Sequence, residues 1–169
     1  TLIQVGCDEE SSRKSIQLAE TCAGFFATVG LHPNDDRSWK GQETLRWMRE
    51  LIKSSKKVVG IGETGIDYYR SSEQAELQQE MFRGQCLLAQ EFDLPVIVHL
   101  RQTKRPVEGG GGLNPAESDC LCFLDEVNMR PQKVLFHCFS SGVRMAEEVL
   151  KRGWFISFSG VLTYPSAGE

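Results

Sequence analysis

Six short apolar runs, at residues 2–5, 25–29, 58–61, 95–98, 134–136 and 155–158, punctuate the chain, and segments of helical periodicity separate them. This alternation constrains the fold more than any other feature. The runs are rich in Val, Ile and Phe and mostly lack a polar-outward alternation, as suits strands buried on both faces. Strands separated by helices pair in parallel through right-handed crossovers. One helical face is Leu45, Met48 and Ile52, and the next is Leu77, Met81, Leu88 and Phe92, with Ser72 as its N-cap. Asn114-Pro115 opens a third, with Cys120, Leu124 and Val127 inward. Val143, Ala146 and Leu150 form a fourth, which Gly153 stops. Residues 34–41 read as a plain surface connection, and residues 103–114, with four glycines from Gly109 to Gly112, as a flexible linker.

Two α/β architectures accommodate this order, an open doubly wound sheet and a (β/α)8 TIM barrel. No G-x-x-x-x-G-K-[ST] phosphate loop is present, so no nucleotide cofactor is expected. The placement of polar residues favours the barrel. His99 and His137 directly follow apolar runs, His32 follows one after Gly30-Leu31, and Glu63 follows another after Gly62. Any one of these alone reads as a hydrogen-bonded structural residue. Together they mark four strand ends, and in a barrel all parallel strands end on one rim.

Imidazole and carboxylate on a rim suit zinc, manganese or another divalent ion. A carboxylate can also bridge two metals about 3.5–4 Å apart, which stabilises both attacking and leaving oxygens in phosphoryl displacement. Glu63 is the candidate bridge. The glycines of Gly60-Ile61-Gly62-Glu63-Thr64-Gly65-Ile66-Asp67-Tyr68 are expected to let the backbone turn tightly over the rim. Asp67 reads either as a group that orients a ligand from behind or as a capping residue. Arg101 reads either as a bidentate grip on phosphate or as a solvent-facing charge. Tyr68, Tyr69 and Trp154 line a pocket or pack in the core, the core being the expectation for Trp154.

At 169 residues the chain is read as one domain. Nineteen Lys and Arg against 23 Asp and Glu leave a net charge of −4, so no broad cationic face advertises nucleic acid or an anionic membrane. A local cationic site, and hence a nuclease, stays compatible with that balance. No apolar run approaches the roughly 18 residues of a membrane span, and no secretory leader opens the sequence. None of the six cysteines forms a C-x-x-C pair, so reduced thiols in a cytosolic or nuclear compartment are expected.

The ordered set Thr28-Val29-Gly30-Leu31-His32-Pro33, Ile61-Gly62-Glu63-Thr64-Gly65-Ile66-Asp67-Tyr68, Pro95-Val96-Ile97-Val98-His99-Leu100-Arg101 and Phe136-His137-Cys138-Phe139-Ser140 resembles the TatD family of metal-dependent hydrolases. The resemblance implies a TIM barrel and one or two divalent ions (Zn, Mg or Mn). It also implies hydrolysis of DNA phosphodiester bonds by a metal-activated water. Carried over by position, Glu63, His99 and His137 are metal ligands, Glu63 and His32 act in catalysis, and His32 and Arg101 contact the substrate phosphate. Two departures stand out. The family's opening H-x-H strand and its closing strand aspartate are both absent, so about six of eight strands are expected. Residues 1–169 are therefore read as one partial barrel: a fragment, a splice form or a faulty gene model. Two other readings follow, an impaired scaffold that binds metal or a partner, and a hydrolase acting on a cyclic amide, ester or lactone.

Overall fold

In the computed structural model, which describes residues 1–101 and 112–165, Asp8 caps a first helix that the apolar pattern does not reveal. Its carboxylate accepts the Ser11 N–H at 2.6 Å, and the Ser11 hydroxyl accepts the Asp8 N–H at 3.0 Å, a reciprocal cap. The buried face of this helix is Ser12, Ser15, Ile16 and Ala19. Small and hydroxyl-bearing residues on the inward face hide the apolar period.

The order is β1 (Leu2–Gln4), α1 (Glu9–Thr21), β2 (Phe25–Val29), α2 (Gln42–Ser54), β3 (Val58–Asp67), α3 (Tyr68–Ser71), α4 (Ala75–Glu91), β4 (Val96–Arg101), α5 (Pro115–Glu126), β5 (Val134–Phe136), α6 (Val143–Lys151) and β6 (Phe155–Ile156). Short 3-10 turns occupy Pro33–Ser38, Ser72–Gln74 and Gly160–Thr163. Every strand pairs in parallel with its neighbours in sequence, giving one six-stranded sheet in the order β1 to β6. Sequential parallel order with a helix at each crossover is a barrel wall, here six strands wide. The core lies between this wall and its helices. Met48 of α2, Phe82 and Cys86 of α4, Leu124 of α5 and Val149 of α6 are fully buried, as are Val29, Ile61, Val96 and Val98 of the strands.

Several sequence expectations change. Ser72 does not cap α4; it lies in the 3-10 turn, and α4 starts three residues later. In α6 the buried residues are Met145 and Val149, whereas Val143 and Leu150 are 76% and 57% exposed. Of the expected face only Ala146 packs against the core, and Val143 and Leu150 lie on the outer side. Residues 34–41 are no plain connection: their 3-10 turn buries Asp36 and brings Asn34 against β3. The glycine run lies outside the described residues except for Gly112.

The largest change concerns β3. It does not finish at Ile61 but pairs with β4 as far as Asp67–Arg101. The spacing Gly60-x-Gly62-x-x-Gly65 matches a dinucleotide fingerprint, yet it falls inside a strand instead of opening a helix, so the context that fingerprint needs is missing. From Ile61 to Thr64 the strand advances three residues while β4 advances two, from Val96 to Val98. The extra residue is a bulge, a device that re-aims a side chain. Gly65 fixes the close approach that follows. Its φ is +141°, and a Cβ there would collide with the His99 carbonyl oxygen, so only glycine lets β3 and β4 run this close.

A candidate metal centre at the strand rim

The bulge places Glu63 beside β4, where its Oε1 lies 3.1 Å from His99 Nδ1. His99 Nε2 lies 3.2 Å from Asp67 Oδ2. The imidazole is therefore held between two carboxylates of the same strand. Gly30-Leu31 carries His32 in from β2, and the two histidine rings meet edge-on at 4.4 Å. One ligand atom from each of His32, Glu63 and His99 lies within 4.8 Å of the others. All three side chains are partly buried. Asp67 is fully buried.

Backbone and polar contacts hold this arrangement. His32 Nδ1 accepts the Asn34 N–H at 3.1 Å, which leaves Nε2 as the free ligand atom. The Asn34 amide donates to Asp67 Oδ2 at 3.0 Å. The Thr28 hydroxyl donates to the Gly62 carbonyl at 2.6 Å, tying β2 to the bulge. Two buried glutamines of α4 clamp the rim from behind. Gln85 accepts the Leu31 N–H at 2.9 Å and donates to the Leu31 carbonyl at 3.0 Å. Gln78 does the same for Asp67, at 2.8 and 3.3 Å.

The electrostatics follow from this packing. Burial alone would neutralise His99, but the Asp67 and Glu63 carboxylates outweigh it and push its pKa up to about 9. Burial likewise opposes ionisation of Asp67, yet hydrogen bonds from His99, Asn34 and the Arg70 N–H bring it down to about 2. Glu63 is also lowered, its burial outweighed by His99 and, through charge, by His32 and His137. His32 is lowered by burial and by the neighbouring His99. Ionised carboxylates and a neutral His32 are the protonation states a cation requires.

His137 follows β5 directly and its N–H donates to the Val98 carbonyl at 2.9 Å. Its exposed ring lies 3.5 Å from the Ser157 hydroxyl and stands outside the group of three. Arg101 ends β4 with its guanidinium 3.9 Å from the centre of the Tyr69 ring. Tyr68 is buried and donates to Asp119 Oδ2 at 2.7 Å. Trp154 packs in the core beside Phe136. Sequence reasoning did not identify Asn34, Thr28, Gln78 or Gln85. The two glutamines carried a signal nonetheless: seven residues apart, they fall on the stripe of Met81, Phe82, Leu88 and Ala89 that faces the core.

The model of a family described as TatD related DNase matches residues 1–169. An uncharacterized metal-dependent hydrolase of Bacillus subtilis, YabD, is 31% identical over 98% of this chain and 59% of its own length. A 3'-5' ssDNA/RNA exonuclease of Cronobacter sakazakii, TatD, is 29% identical over 94% of this chain and 55% of its own length. The crystal structure of YjjV, a TatD homolog from Escherichia coli, superposes with a TM-score of 0.81 at 27% identity, covering 96% of this chain and 57% of that one. The chain thus spans under two thirds of the length of the relatives it matches.

Proposed function

Because the chain belongs to the TatD family of metal-dependent hydrolases, we propose that its strand rim holds a divalent cation and serves hydrolysis of phosphodiester bonds in nucleic acid. The convergence of His32, Glu63 and His99 within 4.8 Å carries this reading. Two imidazoles and a carboxylate suit zinc or manganese, and the carboxylate also accommodates magnesium. When bound, such a cation supplies Lewis-acid polarisation of a phosphoryl oxygen and a lowered water pKa.

The chain's own residues do the positioning. His32 offers Nε2, because Asn34 holds its other nitrogen. His99 offers Nδ1 once that atom gives up its proton, while Asp67 keeps the hydrogen on Nε2 and so fixes the ring plane. Glu63 supplies an oxygen on the same side and is the group able to bridge two ions. His137, which directly follows the next strand, is a further ligand candidate, and Arg101 is the candidate contact to a substrate phosphate. A relative named as an ssDNA/RNA exonuclease supports nucleic acid as the substrate. The six free cysteines support a reducing compartment, cytosolic or nuclear.

Calorimetric titration with Zn2+ or Mn2+, paired with hydrolysis of a labelled oligonucleotide, tests the reading. Stoichiometric uptake and chelator-sensitive turnover are expected, both weakened by Glu63→Gln at least about tenfold. Turnover that survives Glu63→Gln would overturn the assignment. Uptake without turnover would leave a metal-holding scaffold in place of a hydrolase.

A further inference from the structure

One pair of rim side chains has no complete role in that scheme. Tyr69, in the short helix α3, lies two residues beyond Asp67 and is 38% exposed. The Arg101 guanidinium stacks on its ring at 3.9 Å, well inside the range of a cation–π pair. Arg101 is the register partner of Asp67. It follows His99 by two residues, so the two side chains leave the same face of β4 about 6.6 Å apart along the strand. The ring is thereby braced by the residue that follows His99 on that face of β4.

A partly exposed aromatic ring braced by a planar cation is a surface on which unpaired bases stack. Every base has a π-face, so such a platform tolerates any sequence, and the guanidinium can serve the neighbouring phosphate at the same time. A base inside a duplex is already stacked between its neighbours and cannot use it without being unstacked. Building on the hydrolase reading above, we infer that Tyr69 and Arg101 form a base-stacking platform that seats a single-stranded nucleic acid beside His32, Glu63 and His99. Tyr69 is then a substrate-positioning residue.

The test uses two fluorescent strands of equal length, one of thymidines and one of abasic residues, both with hydrolysis-resistant phosphorothioate linkages. Their binding to the full chain in Mn2+ is read by anisotropy. Wild type is expected to favour the thymidine strand. Tyr69→Ala should weaken that strand about tenfold, in line with the loss of one stacked base, and the abasic strand by less than about twofold. Tyr69→Leu, which keeps side-chain bulk without a π-face, should give the same split, and Tyr69→Trp should restore the preference. Equal losses on both strands, or none on either, would overturn the platform while leaving metal-dependent turnover and its Glu63 dependence intact. Failure of wild type to bind either strand would overturn the nucleic-acid substrate together with the platform.

Discussion

His99 is the residue on which the site's charge balance turns. Its ring sits between Glu63 and Asp67 at 3.1 and 3.2 Å, and in the absence of a cation it holds a proton with a pKa of about 9. A histidine whose pKa rises on folding stabilises the fold fully only where the unfolded chain also holds the proton, and progressively less once the unfolded chain releases it. The contribution is fully present below about pH 6.5 and disappears as pH climbs through about 9. In chelator, stability of the wild-type chain should therefore fall by on the order of 1–3 kcal/mol between pH 6.5 and 9.5. Urea midpoints across that range measure it, with His99→Gln as the comparison. An identical slope in His99→Gln would show that the proton sits elsewhere. Asp67 behaves in the opposite sense: with its pKa near 2, its stabilisation is lost only in strong acid.

At the scale of elements, α4 does more than cover the sheet. Gln78 and Gln85 are both fully buried and hold rim backbone on either side of the cluster, at Asp67 and at Leu31. Gln85→Leu would keep the apolar packing but leave the Leu31 N–H and carbonyl unpaired in the core, at a cost of about 1–3 kcal/mol each. A total loss of about 2–5 kcal/mol is expected in urea unfolding, with weaker metal uptake because the Gly30–His32 segment is freed. A change under about 0.5 kcal/mol would mean that the clamp carries no load. These elements also show what the sequence could disclose. That His32, Glu63 and His99 share a rim was legible from ligand-type side chains beside apolar runs, whereas the ligand trio read there was Glu63, His99 and His137, and His137 stands outside the group that converges. The Glu63 bulge was not, since the extra residue exists only relative to β4, more than thirty positions away. The glutamine clamps were hidden for a related reason: their partners are backbone atoms, which no side-chain pattern records.

At the scale of the whole molecule, the six-strand wall was readable from strand–helix alternation, while the outer face of α6 was not. An amphipathic pattern names an apolar stripe but not which neighbour covers it, and α6 carries apolar residues on two faces. Buried Met145 and Val149 face the wall, leaving Val143 and Leu150 exposed. The same flank presents Phe155, Phe158, Leu162 and Tyr164, each more than half exposed. Around Phe139, Val143, Ala146 and Leu162 the surface dips into a cavity of about 490 Å³. Beside it, β6 pairs on one side only among the described residues, as does β1 at the opposite edge with Leu2 and Ile3 exposed. Unpaired strand edges flanked by apolar side chains template further pairing, and large exposed apolar patches drive association. The 169-residue chain on its own is thus expected to self-associate as its concentration rises, through the β6–α6 flank first. Light scattering coupled to size exclusion measures this, and Leu162→Lys with Phe158→Ser should shift the population toward monomer. A monodisperse wild-type monomer with a sharp, reversible melt would show that the flank is satisfied within a single chain.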